Sequence, residues 1–201
     1  DSSNMVPALE ALLDPSSWAK ECGAVLARCG QLAECSRAFA LVGKLDKHFP
    51  GDSGAASALL LNDVRYGPGE ALFIPTGELH AHISGFGVEV MAASDNVIRA
   101  GLTQKHVDRS ALFEAVNSHP AEPMVMTTAA EELRFPNDEF TVKTLNPGDA
   151  VAQWGPKIVL AMTESQVDSL ALGRGQAVFV PDGQEPSVVK GNLLSVGVRR
   201  S

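Results

Sequence analysis

Cysteine is scarce in this chain, with three residues in 201: Cys22, Cys29 and Cys35. The number is odd, all three fall in one helical-looking region, and no C-x-x-C pair exists. Neither a disulfide framework nor a zinc–thiolate site is expected. Buried free thiols in a reducing cytoplasm fit the pattern better. Basic residues are also outnumbered: 16 Lys and Arg against 24 Asp and Glu give a net charge of −8. Binding to phosphate backbones needs the opposite excess, which argues against a nucleic-acid partner. No apolar run reaches the roughly 18 residues that cross a bilayer. The opening DSSNMVPALE has no basic region followed by an apolar core, so no signal peptide is expected. What remains is a 45% apolar share over a length that suits one large domain or two small ones.

The first third reads as helix. Asp14 and Pro15 make an N-cap and first-turn pair, and Gly30 suits the far end. Trp18, Cys22, Val25 and Cys29 recur on one helical face. A second helix is expected over Leu32–Leu45, broken by HFPGDSG, with a short helix or turn in Ala55–Asn62. From Asp63 the texture changes to short apolar or alternating runs separated by turn signals. ALFIP, AHISG, VEVMAA, FTVKTL, KIVLAM, QAVFVP, PSVVKG and LLSVGVR read as strands of a sandwich or barrel. Ser94–Val116 interrupts them as a loop followed by a helix from about Val107.

Two of these segments repeat. GEALFIPTGELHAH, from Gly69, aligns with GQAVFVPDGQEPSV, from Gly175, at an offset of 106 residues. With Gly85 and Gly191 included, six of 17 positions are identical. Each copy reads as strand, Pro-Gly turn and return strand. The unit resembles the second conserved motif of the cupins, which are jelly-roll, double-stranded β-helix domains. That resemblance implies a mainly β chain of tandem cupin units behind an N-terminal helical segment. It also implies a histidine on the return strand as a metal ligand.

Only the first copy carries histidine. His80 aligns with Pro186 and His82 with Val188. Two residues apart on a strand, His80 and His82 can face one side. Each is either a ligand or a hydrogen-bonded barrel histidine. Zinc takes three or four protein ligands. His48, His106 and His119 lie in apparent loops or helices, while Glu70, Glu78 and Glu89 are candidate oxygen donors. No further H-x-H pair exists, so the residues alone make part of a metal site.

The stretch HAHISGFGVEVMAASDNVIRAGLTQKHVD, from His80 to Asp108, resembles the signature of the type I phosphomannose isomerases (mannose-6-phosphate isomerases). FPGDSG, LLLN and PGEALFIPTGELH upstream are similar to that family too. The resemblance implies a zinc enzyme that interconverts mannose 6-phosphate and fructose 6-phosphate through a cis-enediol. Its zinc is held by a Gln-x-His pair, a Glu and the histidine that matches His80. On this resemblance the other ligands come from a region N-terminal to these 201 residues, and the chain is expected to be the C-terminal part of such an enzyme. An N-terminal segment or a second chain would then complete the site.

Carried over by position, Arg99 matches the essential arginine, and Lys105 a lysine able to hold the phosphate of a sugar-phosphate substrate. Glu89 and Asp95 match acidic positions able to move protons, although Asp95 also suits a turn cap. His82 stands where the family has tyrosine, which places a titratable ring by the substrate. Gln104 and Ala93 replace a common Pro and Asn. The expected organisation is a helical segment over 1–50, the remainder of a catalytic cupin over 51–108, and a linker helix with a metal-free cupin over 109–201. The alternative is a tandem cupin that binds sugar or serves structure without catalysis.

Overall fold

Pro15 opens the longest helix, where its missing N–H costs nothing because the first turn has no intrahelical acceptor to lose. The computed structural model describes residues 4–13, 15–94, 96–117, 119–127, 133–136, 139–152 and 155–198. The cap reading for Asp14 therefore lies outside the described residues. Five helices and ten strands are seen among those residues. They fall into two units: Asp1–Arg65 with Ile74–Phe86 and Ser94–Met124, and Tyr66–Phe73 with Gly87–Ala93 and Val125–Ser201.

In the first unit, α1 (Val6–Leu13), α2 (Pro15–Gln31), α3 (Arg37–His48) and α4 (Gly54–Ser57) are followed by α5 (Arg109–Ala115). On the face that the spacing predicts, Cys22 and Cys29 are buried and Val25 is half-buried, while the Trp18 side chain lies outside the described residues. Cys22, Leu26 and Cys29 pack with Val42 and Leu45 of α3 and with Ala55 and Ala56 of α4. Burial pushes both buried thiols up, and Asp46 and Asp52 add a smaller repulsion at Cys22. Cys35 departs from the expectation of burial. It is exposed, because the α2 periodicity ends at Gln31 and a turn carries Cys35 outward. For the same reason α3 begins at Arg37, later than the expected Leu32.

Leu9 and Leu13 of α1 form a smaller core with Leu112 of α5. The Arg109 Nε donates to the Leu13 carbonyl at 2.9 Å, satisfying an acceptor that the helix end leaves open. Asp108 caps α5 by accepting from the Ala111 N–H at 3.0 Å.

The second unit is built on antiparallel pairing. β3 (Leu133–Arg134), β4 (Phe140–Leu145), β10 (Leu193–Val198), β5 (Lys157–Ala161) and β8 (Ala177–Val180) form one sheet in that order. β7 (Leu170–Leu172), β6 (Ser165–Val167) and β9 (Val188–Lys190) form another. β1 (Glu70–Phe73) pairs with β2 (Met124–Thr127). The apolar run LLSVGV is explained by burial on both faces of β10. Leu193 joins Leu145, Val151, Val159 and Val188 in one core, while Leu194 and Val196 pack against Phe135 and Val142 in another.

AHISG and VEVMAA are not strands. No strand lies between Phe73 and Met124 among the described residues. Alternating sequence sets which way side chains point, but a strand also needs a laddering partner. The repeat nevertheless has a backbone counterpart. Gly69 and Gly175 have φ of 80° and 84°, and Gly77 and Gly183 have 87° and 83°. Gly85 and Gly191 are also positive, at 130° and 86°. In the second copy Val188 is 2% exposed and packed into the core where the first copy has His82. No helix among the described residues is long and apolar enough to cross a membrane.

Candidate functional site

His80 follows a turn that is fastened at several points. The turn closes with the Glu78 N–H donating to the Pro75 carbonyl at 3.2 Å. Past the end of α5, the Asn117 N–H donates to the Gly77 carbonyl at 2.8 Å, and the Asn117 side-chain amide donates to Glu78 Oε1 at 2.6 Å. Gly77 is required here. A Cβ at its φ of +87° would sit 2.8 Å from the Ala115 carbonyl oxygen. The chain thus leaves the turn in a fixed direction two residues before His80.

The His80 ring is oriented by that same turn. Its Nδ1 lies 3.0 Å from the Glu78 backbone carbonyl. A carbonyl can only accept, so in the neutral ring the proton sits on Nδ1 and the lone pair on Nε2. This is the arrangement by which a second-shell acceptor orients a metal-binding imidazole. His82 lies beside it. The ring centroids are 6.0 Å apart at 70°, and a nitrogen of each ring lies within 4.8 Å of the other. Both residues are exposed. The two imidazoles meet although the segment is not a strand.

Arg99 and Lys105 lie in the same unit, exposed, on the loop that leads to α5. The Lys105 N–H donates to Thr103 Oγ1 at 3.1 Å, which tightens the bend just before it. Glu89 is exposed and belongs to the Gly87–Ala93 segment of the second unit. The reading of Asp95 lies outside the described residues. Sequence reasoning missed Asp52, whose carboxylate accepts from the Leu102 N–H at 2.8 Å, midway between Arg99 and Lys105. The local signal for it was the PGDSG turn. Nothing in the sequence points to a partner 50 residues away.

The first unit thus carries two chemical features: a paired-imidazole donor set with one tautomer fixed, and a bent loop carrying two cations. Such features suit a metal-assisted site for an anionic ligand. No protein-family model matches the chain. It is 37% identical over 155 residues to mannose-6-phosphate isomerase 2 of Arabidopsis thaliana, covering 77% of this chain and 31% of that one. It is 33% identical over 162 residues to mannose-6-phosphate isomerase of Escherichia coli, covering 74% of this chain and 41% of that one. By sequence, then, the chain is a relative of the mannose-6-phosphate isomerases, spanning 31% and 41% of the length of these two. The apo crystal structure of mannose 6-phosphate isomerase from Salmonella typhimurium superposes with a TM-score of 0.77, covering 98% of this chain and 55% of that one. At 22% identity this likeness is one of fold.

Proposed function

We propose that the chain contributes to a zinc-dependent aldose–ketose isomerase acting on mannose 6-phosphate and fructose 6-phosphate in the cytoplasm. The observation that carries this reading is the oriented His80, on its docked turn, in a chain related to mannose-6-phosphate isomerases. The residues fit part of a zinc site. Two imidazole nitrogens on one tetrahedral zinc lie about 3.3 Å apart. A pair already within 4.8 Å needs only a small ring movement to reach that spacing. His80 would hold the metal through Nε2. His82 would serve as a second nitrogen or as a group against the sugar. Glu89 offers an oxygen ligand or a proton shuttle. Further ligands would come from an N-terminal segment or a second chain. When bound, zinc supplies Lewis-acid polarisation of sugar oxygens.

The chain's own residues would do the rest. Glu89 or Asp95 removes the C2 proton of the open-chain aldose, and the electron pair forms the C1–C2 double bond as the carbonyl π pair moves onto O1. The proton is then returned at C1 while the O2 proton passes to O1 and the C2 carbonyl forms. Arg99 faces the negative charge that develops on the enediolate oxygens, where a permanent, planar cation is most effective. Lys105 holds the phosphate as a point charge. The repeat supports two cupin units, the second of them metal-free. Its three glycine pairs share positive φ, and the second copy buries Val188 where the first holds His82.

The test is proton NMR of mannose 6-phosphate incubated with the protein in D2O. The expected result is fructose 6-phosphate with deuterium at C1, gained when the proton abstracted from C2 exchanges with solvent before it is returned. Substrate line-broadening without turnover would instead favour the sugar-binding, non-catalytic tandem cupin.

A further inference from the structure

Leu102 has a φ of +52°, in the left-handed region that a branched side chain avoids. Such a conformation costs free energy and persists where its surroundings over-determine it. Two contacts do so here. The Leu102 side chain packs against the core formed by Cys22, Leu26, Val42 and Ala55. Its N–H donates to Asp52 Oδ2 at 2.8 Å. The other carboxylate oxygen, Oδ1, accepts from the Gly54 N–H at 2.8 Å, so one side chain joins a local turn to a loop 50 residues later. The join is close because both backbones lack a Cβ. A Cβ on Gly54 would lie 3.2 Å from Gly101 Cα, and one on Gly101 would lie 3.1 Å from Gly54 Cα.

Leu102 stands three residues after Arg99 and three before Lys105. We infer that Asp52 is a positioning residue: its carboxylate latches Leu102 in a strained bend and so presets the loop that presents Arg99 and Lys105 to an anionic ligand. The ligand half of this inference rests on the proposed function. The latch itself rests on the geometry of one unit. A carboxylate is needed because both oxygens must accept. Asparagine offers one acceptor and turns an NH2 toward one of the two N–H groups. Serine can still accept from the Gly54 N–H two residues on, but cannot bridge to Leu102.

The experiment is NMR on the whole chain and on Asp52→Ser, with Asp52→Asn as the second variant should the first not fold. Amide hydrogen exchange and backbone order parameters are measured across Gly54 and Arg99–Lys105. The chain is then titrated with mannose 6-phosphate and with inorganic phosphate. In Asp52→Ser the Leu102 amide is expected to exchange about 10-fold faster or more, as for loss of a hydrogen bond to a charged acceptor. Gly54 stays protected, order parameters fall from Arg99 to Lys105, and mannose 6-phosphate binds about 10-fold more weakly. Unchanged exchange and order at Leu102 would overturn the latch. Loss of protection with unchanged sugar-phosphate affinity would overturn its positioning role. Should the unsubstituted chain bind no mannose 6-phosphate, the proposed function fails, and exchange and order across Arg99–Lys105 still decide the latch.

Discussion

Gly191→Ala is expected to destabilise the second unit by about 3 kcal/mol or more, through two independent costs. At a φ of +86° the backbone is in the region where an L side chain costs about 1–2 kcal/mol. The new Cβ would also lie 2.5 Å from the Glu164 carbonyl oxygen and 2.7 Å from Ser165 Cα, and would overlap Ser165 Oγ as well. The Glu164 carbonyl and Ser165 Cα belong to the backbone entering β6, which is paired on both sides and cannot swing away. Overpacking of this kind adds about 1–3 kcal/mol. For a unit of this size the expected fall in melting temperature is on the order of 10–20 °C. Gly175→Ala is the control. Its φ of +84° carries the conformational cost, but nothing lies within 4 Å of its Cβ, so about 1 kcal/mol is expected. The comparison also tests the repeat. Gly85, the counterpart of Gly191, likewise has nothing within 4 Å. Thermal unfolding of the three variants should rank Gly191→Ala far below the other two.

On the proposed isomerase function, Arg99→Ala is expected to lower kcat/KM for mannose 6-phosphate by about 100-fold or more, the scale of removing one donor from a developing oxyanion. Arg99→Lys keeps the charge and loses the planar fork, so it should recover part of the activity. Formation of fructose 6-phosphate, followed by NMR, separates the three proteins. Arg99 is exposed on a loop, and folding stability should change by less than about 0.5 kcal/mol, which keeps the activity loss interpretable.

Features governed by local rules were legible in the sequence. FTVKTL became β4 with matching ends, Cys22 and Cys29 of α2 are buried, and the repeated glycines adopt like conformations. Features that depend on distant partners were not. VEVMAA alternates like a strand and ladders with nothing among the described residues. Three-residue strands such as β6 and β7 are too short to carry a period, and their hairpin turns at Asp168, with a φ of +46°. The H-x-H spacing predicts a strand pair. The rings do converge, but the turn docked on α5 sets His80, through Asn117, Glu78 and Gly77. Asp52 was illegible for the same reason, since its chemistry lies in an acceptor shared between segments far apart in sequence.

The most direct measurement is zinc content by atomic emission on the purified chain and on His80→Ala, alongside intact mass and circular dichroism. Zinc is expected on the unsubstituted protein, at a full equivalent once the further ligands are supplied, and is expected to be lost in a folded His80→Ala, because that ring supplies the pre-oriented Nε2. Equal zinc in both proteins would overturn the role of His80.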